Sequence, residues 1–124
     1  MIAVDSSTVI AYIQGDSGVD VQLLETSIGN NELVLPPVVL AEVLSEPKLP
    51  STHSALMRSL PLLDMTEDFW SRAGISRSKV LARKLRARLA DALIAQSCID
   101  HAVPLITRDG DFRHFAKYCG LKLA

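Results

Sequence analysis

Five carboxylates stand out in this sequence for the company they keep. Asp5 ends the short apolar run "MIAV", and Glu42 lies in "PVVLAEVL", where every other residue from Val38 to Leu44 is apolar. Asp91 heads "DALIAQSCIDHA", where helical spacing puts it on one stripe with Ile94, Ala95, Cys98 and Ala102. Asp109 and Asp111 follow the β-rich run "VPLIT" in the turn "RDGD". A carboxylate in an apolar setting is costly unless something compensates its charge.

If these groups share one pocket, each close pair at about 4 Å repels by roughly 4 kcal/mol at a moderate effective dielectric. Protonation, pairing with cations or a divalent metal can relieve that repulsion, and the metal is the most economical of the three. Oxygen donors without His or Cys favour hard cations, Mg²⁺ or Mn²⁺ over Zn²⁺. Ca²⁺ fits less well, because no Asp/Asn-rich loop ends in a bidentate Glu. Such a site suits hydrolysis of a phosphodiester, in which the cation activates water and offsets charge on the phosphate oxygens. Hydroxyls beside the acids, on Ser6, Thr8 and Thr107, are placed to hold water or substrate oxygen.

Each acid also has a purely structural reading. Asp5 before "SSTV" is a good helix N-cap, and "RDGD" is ordinary turn chemistry. Glu42 could occupy a solvated edge of its helix. Asp91 could be a first-turn residue stabilised by the helix dipole. The functional reading gains weight because one rim of a sheet could collect all of them.

The elements that must do this alternate along the chain. Ile2 to Val4 reads as a strand, followed by helices in "TVIAYI" and "VDVQLLETSI". "ELVLPP" is a strand closed by prolines, and Pro37 is placed to open the helix "PVVLAEVLSE", which should be buried on all sides. A short helix in "PKLPSTHSALMRSL" leads to a strand in "LPLLD". The longer helix "EDFWSRAGISRSKVLARK" has acids in its first turn and bases late. The Asp91 helix, the strand "VPLIT", a helix in "RDGDFRHFAKY" and a last strand or tail "LKLA" complete the chain. This alternation predicts one α/β domain over residues 1–124, with a mostly parallel central sheet flanked by helices on both faces. In such sheets, sites form at the carboxyl ends of the strands, where Asp5, Asp109 and Asp111 emerge.

Bulk properties narrow the function classes. Hydrophobic residues make up 48% of the chain, which argues against disorder, and 13 Lys and Arg against 14 Asp and Glu give a net charge of −1. Binding of nucleic acid through overall positive charge is therefore not expected. The N-terminus lacks the basic start of a signal peptide, and no apolar run reaches membrane-spanning length. A soluble cytoplasmic protein is expected, with Cys98 a buried thiol in a reducing compartment.

The segments "MIAVDSSTVIAYI", "LPPVVLAEVL", "LADALIAQSCIDHAVPLITRDGDF" and "GLKLA" resemble, in this order, PIN-domain ribonucleases of the VapC toxin type. They span almost the whole chain, and the third is the most specific. The resemblance implies a PIN-like α/β fold, an acidic pocket binding Mg²⁺ or Mn²⁺, and endonucleolytic cleavage of RNA. It places Asp5, Glu42, Asp91 and Asp109 at four acidic positions, with Asp5 and Asp91 foremost as direct metal ligands. Asp111 matches a further acidic position of variable role, and Ser6 and Thr107 match polar positions beside the metal. A small antitoxin that covers the pocket, often with a basic side chain, and a homodimer are also implied. The stretch "SEPKLPSTHSALMRSLP" matches no motif of the family.

The basic run containing Lys79, Arg83, Lys84, Arg86 and Arg88 is either a solvated helix end or a patch that tracks RNA phosphates, with Arg83, Arg86 and Arg88 as candidate contacts. Three other functions compete. A phosphatase using Asp5 as nucleophile would need an acid where Ser7 stands, and a phospho-receiver would accept phosphate on Asp64 after "LPLL". A non-catalytic PIN scaffold would have lost acids that are all present here. His53, His101 and His114 show no pairing with a nucleophile, and Phe112 reads as core.

Overall fold

The computed structural model describes Met1–Ala124. Three short parallel strands form its sheet: β1 (Ile2–Val4), β2 (Leu33–Val34) and β3 (Leu105–Ile106), in the order β2-β1-β3. Ala3 pairs with both neighbours, opposite Val34 on one side and Leu105 on the other. The Asp5 amide continues the ladder by donating to the Ile106 carbonyl over 3.0 Å. Strands buried on both faces read as continuous apolar runs, as these do.

Seven helices flank the sheet: α1 (Ser6–Ile13), α2 (Val19–Gly29), α3 (Pro37–Leu44), α4 (Ser51–Ser59), α5 (Phe69–Leu81), α6 (Leu89–His101) and α7 (Phe112–Cys119). The core joins Val4, Leu35, Leu105 and Ile106 from the sheet region to Val9, Leu24, Val39, Ile94, Phe112 and Phe115 from the helices. None of the helices is long and apolar enough to cross a membrane.

The parallel α/β architecture is as expected, and three local expectations are corrected. "LPLLD" is not a strand: only Leu62 bridges to Leu35, beside Pro61, which has no amide to donate. Of the two readings of "LKLA", the tail holds, with a single bridge from Leu123 to Leu105, and β2 stops before Pro36 as the closing prolines required. Helix α5 begins at Phe69, with Asp68 outside it in the left-handed region at φ 59°, so its first turn holds no acid. It also ends at Leu81, leaving Arg83 and Lys84 in the following turn. Finally, α3 is not buried on all sides. Val39 and Val43 face the core while Ala41, Glu42 and Leu44 are exposed, because α3 has neighbours on only part of its circumference.

Candidate metal centre

Because β1 and β3 are parallel neighbours, Asp5 and the turn after Ile106 leave the sheet at the same rim. Asp5 is almost fully buried at 4% exposure and caps α1: its Oδ1 accepts the Thr8 amide at 3.4 Å and the Ser7 hydroxyl at 2.8 Å. The capping reading therefore holds, and it coexists with a place at the rim. Burial raises the pKa of Asp5, opposed by hydrogen bonds from Ser7, Thr107 and Thr8.

Asp91 projects from the first turn of α6, which starts at Leu89. One oxygen of each of Asp91, Asp109 and Asp111 lies within 4.8 Å of the other two. Asp5 and Glu42 lie outside this trio, but both charges reach Asp91. Its pKa is pushed up to about 6, first by burial and then by the charge on Asp109, with smaller contributions from Asp5 and Glu42 against the opposing Arg88. Its Oδ2 is buried without a hydrogen-bond partner.

The other two members of the trio are held by the turn that carries them. The Asp109 amide donates to Thr107 Oγ1 at 3.0 Å, and Asp109 Oδ1 accepts the Asp111 amide at 2.9 Å, an Asx-turn. The turn reading of "RDGD" is thus correct, and it fixes both carboxylates. Asp111 Oδ2 also lies 3.6 Å from Arg86 Nε.

Glu42 differs most from expectation. It is exposed, as the solvated-edge reading required, and its Oε1 accepts the Ser6 hydroxyl at 2.6 Å. This bond ties α3 to α1. The Thr8 hydroxyl donates to Asp20 Oδ2 at 2.9 Å and to none of the five acids singled out in the sequence. Of the three candidate arginines, Arg86 and Arg88 border the acidic group, whereas Arg83 lies over the Tyr118 ring at 4.5 Å. Asp64 is exposed away from any named strand, and its carbonyl meets His101 Nε2 at 2.8 Å.

Two features were not foreseen. Ser7, rather than Ser6, bonds Asp5. Arg108 forms a two-pronged ion pair with Asp20 at 2.7 and 3.0 Å. Ser7 could have been suspected from its place beside Asp5. Nothing in the chain links Asp20 to a residue so distant in sequence.

The donor set fits a hard divalent cation. All three converging donors are carboxylate oxygens, and one buried oxygen has no other partner. At 4.8 Å, each ionised pair repels by roughly 3 kcal/mol at an effective dielectric near 20. A cation between them would offset that repulsion.

The PIN domain family model matches residues 2–118. No curated protein matches the chain. Among solved structures, VapBC2 from Rickettsia felis, bound to a DNA fragment from its promoter, is similar with TM-score 0.75 and 21% identity, covering 100% of this chain and 98% of that one. FitAcB from Neisseria gonorrhoeae gives TM-score 0.68 and 18% identity, over 99% and 96% of the two chains. VapBC-5 from Mycobacterium tuberculosis, from a family of toxin–antitoxin systems, gives TM-score 0.66 and 18% identity, over 98% and 95%. At these identities the likeness is one of fold.

Proposed function

The chain belongs to the PIN domain family, and we propose that it is a metal-dependent endoribonuclease, the toxin of a toxin–antitoxin pair. The observation that carries this reading is Asp91. Its Oδ2 is buried and unpartnered, and the residue lies in oxygen-to-oxygen reach of Asp109 and Asp111. A structural carboxylate would have found a donor there.

When bound, Mg²⁺ or Mn²⁺ would make water a better nucleophile at neutral pH and offset charge on the scissile phosphate. Asp91, Asp109 and Asp111 are the residues that would hold it. Asp5, already hydrogen-bonded by Ser7, adds negative charge from behind and shares in the site as an outer acid. Glu42, exposed and steadied by Ser6, is placed to orient water or accept a proton at the open side. Thr107 holds the Asp109 amide. Arg86 and Arg88, at the edge of the acidic group, attract RNA phosphates and position the backbone for cleavage. Arg83 is a more distant contact on the same basic run.

The partner is proposed to be a cognate antitoxin. A groove of about 380 Å³ runs between α1 and α3, with Ile10, Ile13, Val43 and Leu49 in its walls and two acids, Glu42 and Glu46, to one base, Lys48, at its polar rim. An amphipathic antitoxin segment with basic residues would bury the apolar wall and neutralise that rim. One of the similar solved structures, VapBC-5, is named as a member of a family of toxin–antitoxin systems, which supports the same assembly here. A homodimer in the cytoplasm, built from a single-domain chain, completes the proposal.

The purified chain is expected to cut RNA with Mg²⁺ or Mn²⁺, to stop with a chelator, and to lose cleavage on Asp91→Asn with its circular dichroism unchanged. Undiminished cleavage by Asp91→Asn would remove the site.

A further inference from the structure

We propose that Arg108 and Asp20 are a positioning pair for the acidic site, clamping the turn after β3 to the start of α2 so that Asp109 and Asp111 stay opposite Asp91. This rests on the divalent-metal reading above and goes beyond it, since neither residue belongs to the acidic group.

The turn needs an external anchor. No backbone hydrogen bond ties residues 107–111 to α1, α2 or α6; the bonds made by this stretch run forward into α7. Side chains hold it laterally: Ser7 Oγ accepts the Arg108 amide at 3.3 Å, Arg86 Nε lies 3.6 Å from Asp111 Oδ2, and the shortest tie is the Arg108 guanidinium. Its Nε donates to Asp20 Oδ2 at 2.7 Å and its Nη2 to Asp20 Oδ1 at 3.0 Å, a fork-to-fork geometry that fixes direction as well as distance. The same Nη2 donates to the Ser17 carbonyl at 3.1 Å, and the Thr8 hydroxyl donates to Asp20 Oδ2 at 2.9 Å. The Asp20 carboxylate thus gathers α1 and the turn after β3, and the Arg108 guanidinium adds the linker before α2.

The pair is fitted against backbone. Gly18 has φ +149°, and a Cβ there would lie 2.6 Å from Asp20 Oδ1 and 3.1 Å from Arg108 Nη2. The ion pair occupies the volume a side chain would fill.

From Arg108 the linkage reaches the acids through short steps. Its amide donates to Ser7 Oγ at 3.3 Å, and Ser7 donates to Asp5 Oδ1 at 2.8 Å. On its other side Thr107 and Asp109 hold the amides that shape the Asx-turn. The Arg108 side chain is 34% exposed, and pairs open to solvent contribute little to global stability. Local geometry is the property it can control. Partners that orient metal ligands typically alter metal affinity by 10- to 100-fold.

The test uses the full chain, with Mn²⁺ alone as the probe and no RNA. Arg108→Gln and Asp20→Asn are each expected to weaken Mn²⁺ binding about 10-fold or more in calorimetry. They should also speed hydrogen exchange at the Asp109 and Asp111 amides. The double exchange Arg108→Asp with Asp20→Arg should recover part of the affinity. A purely structural role would lower thermal stability without any recovery of Mn²⁺ affinity in the exchanged pair, and that result overturns the proposal. So does Mn²⁺ affinity within about twofold of the parent in both single variants, including the case where RNA binding alone weakens. Asp91→Asn is the control. If it binds Mn²⁺ like the parent, the metal reading itself fails; if it does not bind while the clamp variants do, only the clamp fails.

Discussion

Asp91 and Asp109 face each other across the rim of the sheet, one on the opening turn of α6 and the other on the turn after β3, with oxygens within 4.8 Å. After burial, the charge on Asp109 is the largest cause of the raised pKa of Asp91. In the metal-free protein the folded state therefore holds this proton more tightly than the unfolded chain.

That difference fixes the sign of a pH effect. Between the ordinary value of 3.8 and about 6, the native state binds more protons, so stability falls as pH rises. The full loss for this one group is about 3 kcal/mol by pH 7. Asp5 shifts in the same direction. Asp20 and Asp100 are lowered and act in the opposite sense, but their stabilisation is lost only as pH falls below the ordinary carboxylate range. Urea midpoints in chelator at about pH 4.5 and pH 7 should drop for the parent. Asp91→Asn should show a smaller drop, and an equal one would place the effect elsewhere.

Divalent cation should reverse this penalty. At a concentration about 100 times its dissociation constant, Mn²⁺ stabilises a binding-competent native state by about 2.7 kcal/mol. The melting temperature at neutral pH should rise with Mn²⁺ and return with chelator. The same titration of Asp91→Asn should be nearly flat.

Glu42 and Phe112 should separate chemistry from folding. Glu42 is exposed, so Glu42→Gln should change stability by less than about 0.5 kcal/mol while lowering RNA cleavage. Phe112 is fully buried beside Asp111, and Phe112→Ala should cost about 3–5 kcal/mol. Denaturation curves and cleavage rates measured together would show whether the two losses divide in this way.

The two thiols should differ in reactivity. Cys98 is buried in α6, and burial pushes its pKa up to about 12. Cys119 is only partly buried. A thiol reagent should label Cys119 in the native protein and Cys98 only after unfolding. Equal labelling rates would mean that α6 opens far more easily than its packing implies.

Much of this was legible in the residues themselves. Asp5, Asp91, Asp109 and Asp111 were marked by local pattern, because a carboxylate at a strand end or on an apolar stripe departs from ordinary composition. Glu42 was marked for a mistaken reason. Its apolar neighbours point to burial, yet α3 exposes that face, and Glu42 is connected to the site through its bond from Ser6 and its charge on Asp91. Apolar composition describes a helix but not which of its sides finds a neighbour.

The sequence alone determined the alternation of strands and helices, the rim at which β1 and β3 end, and the acids delivered there, since period, caps and turn residues act over a few positions. Tertiary structure decided which acids meet. It placed Asp91 with Asp109 and Asp111, left Asp5 behind Ser7, and paired Arg108 with Asp20. Those choices depend on how α6 packs against α3, α5 and α7, and on how the turn after β3 meets α1 and α2. Local periodicity carries no information about distances between segments so far apart in the chain.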